Sequence, residues 1–290
     1  MKHIFMVNRF SLNSKLDYYV GKLKVAAEKL KLDYIIDINS EDTTTEDILK
    51  KYENKKYIVY AVGGDGILNR VVNALYSTQN QIGCIPLGTG NDFHRTMREL
   101  FADGDNKVDL IKCNNRYFIN VACFGVDADI ANDDKIVHNK LIPKSLQYKV
   151  SVVKHICTFK PYNFKMEWDK KKDASKLALV TICNANYYGG GFHINPNGSY
   201  NDGKLDIYIV RAYKRMKLIK YLLKILKSQH QELDFVEHVR TNSFKIVADR
   251  EIDANLDGER LRNKSFDLKV IPKGISIYYN QDLIELMNGK

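Results

Sequence analysis

Apolar residues in the first third of the chain follow two alternating rhythms. Short apolar runs at residues 3–8, 33–38, 57–62 and 82–86 predict strands. Between them, residues 14–31, 44–52 and 67–76 carry helical spacing, as in the row Leu16, Leu23, Ala27 and Leu30. The stretch 44–52 is entered through a Ser/Asp/Thr-rich segment whose side chains suit helix capping. Strands that alternate with helices imply βαβ units, a mostly parallel sheet and helices on both of its faces. In such sheets ligands bind beyond the carboxyl ends of the strands.

Near Arg116 the rhythm changes. Residues 117–126, 164–169, 177–185, 204–210, 243–248 and 266–271 read as strands with turn residues between them, interrupted by helical patterns at 144–159 and 214–229. The expected organisation is therefore an α/β domain over residues 1–115, completed by 273–290, and a strand-rich, β-sandwich-like domain over 116–272. No internal repeat, low-complexity tract or Pro/Gly-rich linker separates the two, so close packing of the domains is expected.

Composition narrows the class. At 44% hydrophobic and 28% charged residues the 290-residue chain reads as an ordinary globular protein. It has no apolar run near the roughly 20 residues of a membrane span and no secretory leader pattern, which predicts a cytoplasmic protein. Five cysteines are scattered and unpaired in spacing, as expected of reduced, mostly buried thiols. The formal charge of +10 attracts anions, whether nucleic acid, an acidic membrane surface or phosphorylated ligands, and charge alone does not choose among them.

Two glycine-rich loops supply the candidate chemistry. Gly63, Gly64, Asp65 and Gly66 follow the strand 57–62 and precede the helix 67–76. A strand, a tight glycine turn and a helix N-terminus together point backbone N–H groups at an anion. Asp65 is a carboxylate beside that anion site, which suggests a metal or proton-transfer role. A plain βα turn would use the same residue types. The second loop, Pro86-Leu87-Gly88-Thr89-Gly90-Asn91-Asp92, stands in the same position after the strand 82–86. Gly88 and Gly90 permit close approach, Thr89 and Asn91 offer polar atoms to phosphate or ribose, and Asp92 is either a second acid or the N-cap of the next helix.

These loops, GGDGILNRVVNAL from Gly63 and PLGTGND from Pro86, resemble the catalytic domain shared by diacylglycerol kinases, sphingosine kinases and bacterial lipid kinases. Further segments follow in the family's order: FINVACFGVD from Phe118, NPNGSYNDGKLDIYIV from Asn195 and LDGE from Leu256. The Gly-Gly-Asp-Gly loop is shared with NAD kinases and phosphofructokinases, whose N-terminal fold the resemblance therefore implies; the ordered set is specific to the lipid kinases. The chain departs from the family at Asn8-Arg9-Phe10-Ser11-Leu12, where Asn-Pro-x-Ser-Gly is usual, and at Ile67 and Arg70, where Thr and Glu are common.

The resemblance implies an ATP-dependent kinase that uses Mg2+ and phosphorylates a lipid hydroxyl, with diacylglycerol first and a sphingoid base, phosphatidylglycerol or a polyprenol as alternatives. A catalytically impaired lipid-binding sensor of the same fold is a further alternative. Asp65, Glu259 and Asp92 become the candidate acids, with Asn8, Gly63, Gly64, Gly66, Gly88, Thr89, Gly90 and Asn91 around the nucleotide. Asp202 and Asp257 become the candidate metal ligands. Taken alone, Asp257-Gly258 is a hairpin turn signal. The partner expected is a lipid at a membrane surface, reached peripherally, with a homodimer as candidate assembly. Nucleic acid is not expected, because zinc-finger spacing, an RNP-like aromatic motif and a basic tail are missing. The helix 214–229 is the candidate docking element: Met216, Ile219, Leu223 and Leu226 form one row, and Lys217, Lys220, Lys224 and Lys227 another. A core-packing helix with a solvated lysine face explains the same pattern.

Overall fold

The computed structural model describes residues 1–88, 90–133, 144–211 and 214–289, with the side chains of residues 13 and 144–149 also outside the description. It divides into two compact units, Met1–Leu110 with Pro272–Lys290, and Ile111–Ile271.

The first unit is built on parallel strands β1 (His3–Val7), β2 (Tyr34–Ile38), β3 (Ile58–Gly63) and β4 (Gln81–Pro86), in the order β2-β1-β3-β4. A last parallel pairing, Ile277 with Ile82, brings in the end of the long strand that precedes the C-terminal helix. Strands β1 and β3 are buried at every position because both faces of this sheet are covered, and only His3 among them is polar. Phe5, Val7, Tyr60 and Val62 pack under α2 (Leu16–Lys29), through Leu23, Ala26 and Ala27, and under the C-terminal helix, through Leu283 and Met287. The alternate residues, such as Val59 and Ala61, are equally buried; α4 (Asp65–Leu75) packs on β3, and α3 (Thr45–Leu49) packs on α4. A short helix, α1 (Arg9–Leu12), precedes α2. Thr44 caps α3 by accepting from the Asp47 N–H, which accounts for the polar entry read from the sequence. The helix α5 (Asp92–Leu100) follows β4.

The second unit is a strand-rich layer structure. Its sheet runs β14-β13-β10-β7-β15-β16, all antiparallel neighbours; β8 and β9 branch from β15. Here β7 is Val121–Gly125, β8 Tyr162–Trp168, β9 Lys171–Leu177, β10 Leu179–Cys183, β13 Leu205–Val210, β14 Val236–Thr241, β15 Ser243–Leu256 and β16 Glu259–Tyr279. Period-two alternation divides the strands between two cores. Ala122, Phe124, Val180, Ile182, Ile207 and Ile209 face a sandwich core with Phe164, Met166, Phe244 and Phe266. Val121, Cys123, Leu179, Cys183, Tyr208 and Val210 face the opposite way, onto helices α6 (Val126–Ala131), α7 (Lys144–Thr158) and α8 (Arg215–Ile225). A register shift between Val247 and Ile252 lets β15 pair with β8 at one end and β7 at the other.

The α/β and strand-rich classes expected from the sequence are both present. Several elements depart from expectation. The run 117–126 divides into β6 (Arg116–Phe118), β7 and the start of α6, because Gly125 at φ +86 turns the chain out of the sheet. The polar segment Lys171–Leu177 is a strand only because β8 supplies its partner. The expected strands at 243–248 and 266–271 are parts of a 14-residue strand and a 21-residue strand.

Candidate functional site

The carboxyl ends of β1, β3 and β4 lead into the loops singled out from the sequence. Gly63 has φ +155, and a Cβ there would stand 2.8 Å from the Ile67 side chain and 3.6 Å from both Asn8 Cβ and Ser11 Oγ. The residue is therefore restricted to glycine by the first turn of α4, and Ile67 seals that turn in place of the hydroxyl common in the family. The two glycine loops lie backbone against backbone. A Cβ on Gly88 would lie 2.4 Å from Gly64 Cα, and one on Gly64 would lie 2.7 Å from the Gly90 carbonyl oxygen. Two hydrogen bonds fix this approach, Asp65 N–H to Gly90 O at 3.0 Å and Leu87 N–H to Gly63 O at 2.9 Å. Neither loop can carry a side chain at the contact without moving the other.

Asp65 is the hinge of the arrangement. Its Oδ2 accepts from the Asp92 N–H at 2.8 Å and its Oδ1 from the Phe93 N–H at 3.3 Å, so the carboxylate from the first loop caps the helix entered from the second. This corrects the N-cap alternative for Asp92. Asp92 is the first residue of α5, its N–H receives a cap from Asp65, and the N-cap position is Asn91, which makes no side-chain cap bond. Asn91 instead donates Nδ2 to the Gly88 carbonyl at 2.8 Å, tightening its own loop. Asp92 is 4% exposed, with the Arg95 Nε 3.6 Å from its carboxylate. Within α5, burial followed by the charges of Arg98 and Arg95 depresses the His94 pKa to about 4, so the ring is neutral at pH 7. Under the loop, burial first and the Asp65 charge second push the Cys84 thiol far up, leaving it un-ionised. Gly66 lies in the first turn of α4. Thr89 falls outside the described residues.

The edge formed after β1 was under-read from the sequence. Asn8 Oδ1 accepts from the Phe10 N–H at 3.1 Å and lies 3.4 Å from Asn39 Nδ2, while Asn39 Oδ1 accepts from the Arg9 N–H at 2.9 Å. Ser11 stands with Asn8 beside Gly63. The signal was present, since Ser11 holds the serine position of the family's Asn-Pro-x-Ser-Gly. Asn39 lay outside any motif, and only the return of β2 beside β1 reveals it.

In the second unit, Asp257 and Gly258 form the two-residue turn between β15 and β16, with φ +50 and +93, and Leu256 pairs with Glu259 across it. Glu259 is thus fixed at the first position of β16. Asp257 is 7% exposed and accepts N–H bonds from Ile119 at 2.9 Å, Asn120 at 3.0 Å and Val121 at 2.9 Å. With three backbone donors on its oxygens, the carboxylate anchors the start of β7. Asp202 accepts from the Lys204 N–H at 3.0 Å and is ion-paired with Arg240, which also reaches Asp206 at 3.1 Å. Arginine supplies the positive charge at that turn. Among the described residues no cluster of three or more His, Cys, Asp or Glu side chains could hold a metal by itself.

Residues 2–121 match the model of the diacylglycerol kinase catalytic domain, and residues 120–279 that of the YegS C-terminal NAD kinase beta sandwich-like domain. A Shewanella frigidimarina protein named "Probable lipid kinase YegS-like" is 31% identical over 73% of each chain. A Bacillus subtilis diacylglycerol kinase is 28% identical over 70% of this chain and 71% of its own. In fold, the chain is similar to a crystal structure of a diacylglycerol kinase from Bacillus anthracis, with a TM-score of 0.75, 24% identity and 97% of each chain covered. The chain belongs to the lipid kinase family that contains the bacterial diacylglycerol kinases, and its enzyme class is that of an ATP-dependent lipid kinase.

Proposed function

We propose that the protein transfers the terminal phosphoryl group of ATP to the hydroxyl of diacylglycerol, giving phosphatidic acid, at the surface of a membrane facing the cytoplasm. The observation that carries this reading is the close approach of Gly64 to Gly88 and to Gly90, closed by the Asp65 carboxylate. Side-chain-free backbone at the ends of β3 and β4, beside the N-terminus of α4, is suited to a polyphosphate that must approach main-chain N–H groups closely. Asn8 and Ser11 add polar atoms at the same edge.

Phosphoryl transfer needs little covalent help from a protein. It needs the triphosphate held, its charge neutralised and the acceptor hydroxyl in line. Bound Mg2+ would supply the charge neutralisation on the phosphate oxygens. Asp65, held in one orientation by two backbone donors, is the proposed residue for positioning and deprotonating the acceptor, with Asp92 assisting. Diacylglycerol is the first acceptor because related bacterial chains carry that name. The test is incubation of the protein with Mg2+, ATP labelled in its terminal phosphate and a panel of diacylglycerol, sphingosine, phosphatidylglycerol and a polyprenol. Label is expected in phosphatidic acid. Label confined to another lipid would replace the acceptor, and label in no lipid would end the proposal.

A further inference from the structure

The outward face of α8 is not explained by packing. Leu218, Tyr221 and Ile225 recur at helical spacing and are buried in the core of the second unit, with Leu222 packed against its edge. A helix that only covers a sheet needs no second apolar row. This one has it: Met216, Leu223 and Leu226 are 74%, 61% and 65% exposed. Thus three members of the row expected from the sequence to be either core or docking face are turned to solvent, the fourth, Ile219, is half-buried, and a different row makes the core.

Charge divides the same surface. Lys217 and Lys224 are tethered on one side, to Asp234 at 3.9 Å and Glu232 at 3.1 Å. Lys220 and Lys227, nearer in rotation to the apolar row, are exposed and have no carboxylate partner among the described residues. Helix α7, which packs against α8, exposes Val150 and Val153. Exposed large apolar side chains beside unpaired lysines on a short helix match what an interfacial helix presents to a bilayer: apolar groups enter the acyl boundary while ammonium groups stay with headgroup phosphates. Among the described residues no helix is long and apolar enough to cross a membrane.

We propose that the outer face of α8, with the turn that follows it, docks the protein onto an anionic lipid bilayer, with Met216, Leu223 and Leu226 in the interface and Lys220 and Lys227 against headgroup phosphates. The inference rests on the lipid-kinase reading for the source of its partner. The complementary charge of the free lysines and the overall +10 favour an anionic bilayer over a second copy of this equally basic chain.

Flotation of the full-length protein with phosphatidylcholine vesicles, with and without phosphatidylglycerol, tests it. Binding is expected only with the anionic lipid. It should fall about 30-fold in the double variant Lys220→Glu, Lys227→Glu, and fall again in Leu223→Ser, with unchanged thermal melting because these side chains are outside the core. Binding by both variants equal to that of the unaltered protein overturns the proposal. So does failure of the unaltered protein to bind anionic vesicles, or a change from dimer to monomer in the Leu223→Ser variant. A parallel assay with short-chain diacylglycerol in solution separates the two readings: transfer there without vesicle binding removes the docking face and leaves the kinase, and vesicle binding without transfer to any lipid does the reverse.

Discussion

At the scale of single residues, Asp65 carries two jobs that mutation can separate. Its carboxylate caps α5 through the Asp92 and Phe93 N–H groups, and it is also the proposed catalytic acid of the loop. The sequence offers only the second job. With the cap in view, Asp65→Ala is expected to cost about 1 kcal/mol of stability, read as a lower melting temperature. Asp65→Asn keeps the acceptor for one of the two N–H groups and loses the other, so it should cost no more than about 1 kcal/mol while still losing transfer. Gly88 makes a separate prediction. Because its added Cβ would sit 2.4 Å from Gly64 Cα, Gly88→Ala must push the two loops apart. A loss of about 1–3 kcal/mol in thermal or urea unfolding is expected, together with weakened ATP binding by calorimetry. Retention of both parental values in that variant would mean that the loops are not an interlocked unit.

Among the elements, the β15–β16 hairpin shows how a turn signal and a motif can both be correct. Asp-Gly announces a two-residue turn, and the positive φ of both residues fulfils it. What the sequence does not announce is that the Asp257 side chain folds back to hold the N–H groups of residues 119–121. Replacing it by Ala leaves three buried donors without their acceptor, an expected loss of at least about 3 kcal/mol in unfolding free energy. Asp257→Ala protein as stable as the parent would refute the anchor. Legibility followed the same division. Strands buried on both faces, such as β1 and β3, were readable from their apolar runs, and the glycine loops from their position after strands. Elements made by a partner were not: β9 is polar and needs β8, and the Asn39 contact to Asn8 and Arg9 needs β2 beside β1. For α8 the sequence showed an amphipathic helix, but which apolar row met the core was decided by tertiary packing.

Over the whole molecule, charge and titration give a pH signature. Burial depresses the pKa of His230 to about 4, most strongly by loss of water around the ring, and His94 is lowered to about 4 by burial and two arginines. Both rings bind protons more readily in the unfolded chain, where the pKa is about 6.5. Below that value the unfolded state gains protons that the folded state refuses, so stability should be intact at neutral pH and fall from about pH 6.5 toward pH 4. Urea unfolding followed across that window checks this, with His230→Gln expected to flatten the slope. An acid-side slope unchanged in the variant would remove His230 from the account. The excess positive charge bears on function as well, since substrate, nucleotide and the proposed membrane partner are all anionic or lie among anions.

The most direct trial of the account compares the unaltered protein with Asp65→Asn, using labelled ATP, Mg2+ and diacylglycerol in detergent micelles. Labelled phosphatidic acid is expected from the parent and at least about a hundredfold less from the variant, with ATP affinity retained and cooperative thermal unfolding preserved. Equal transfer by a folded Asp65→Asn protein would contradict it.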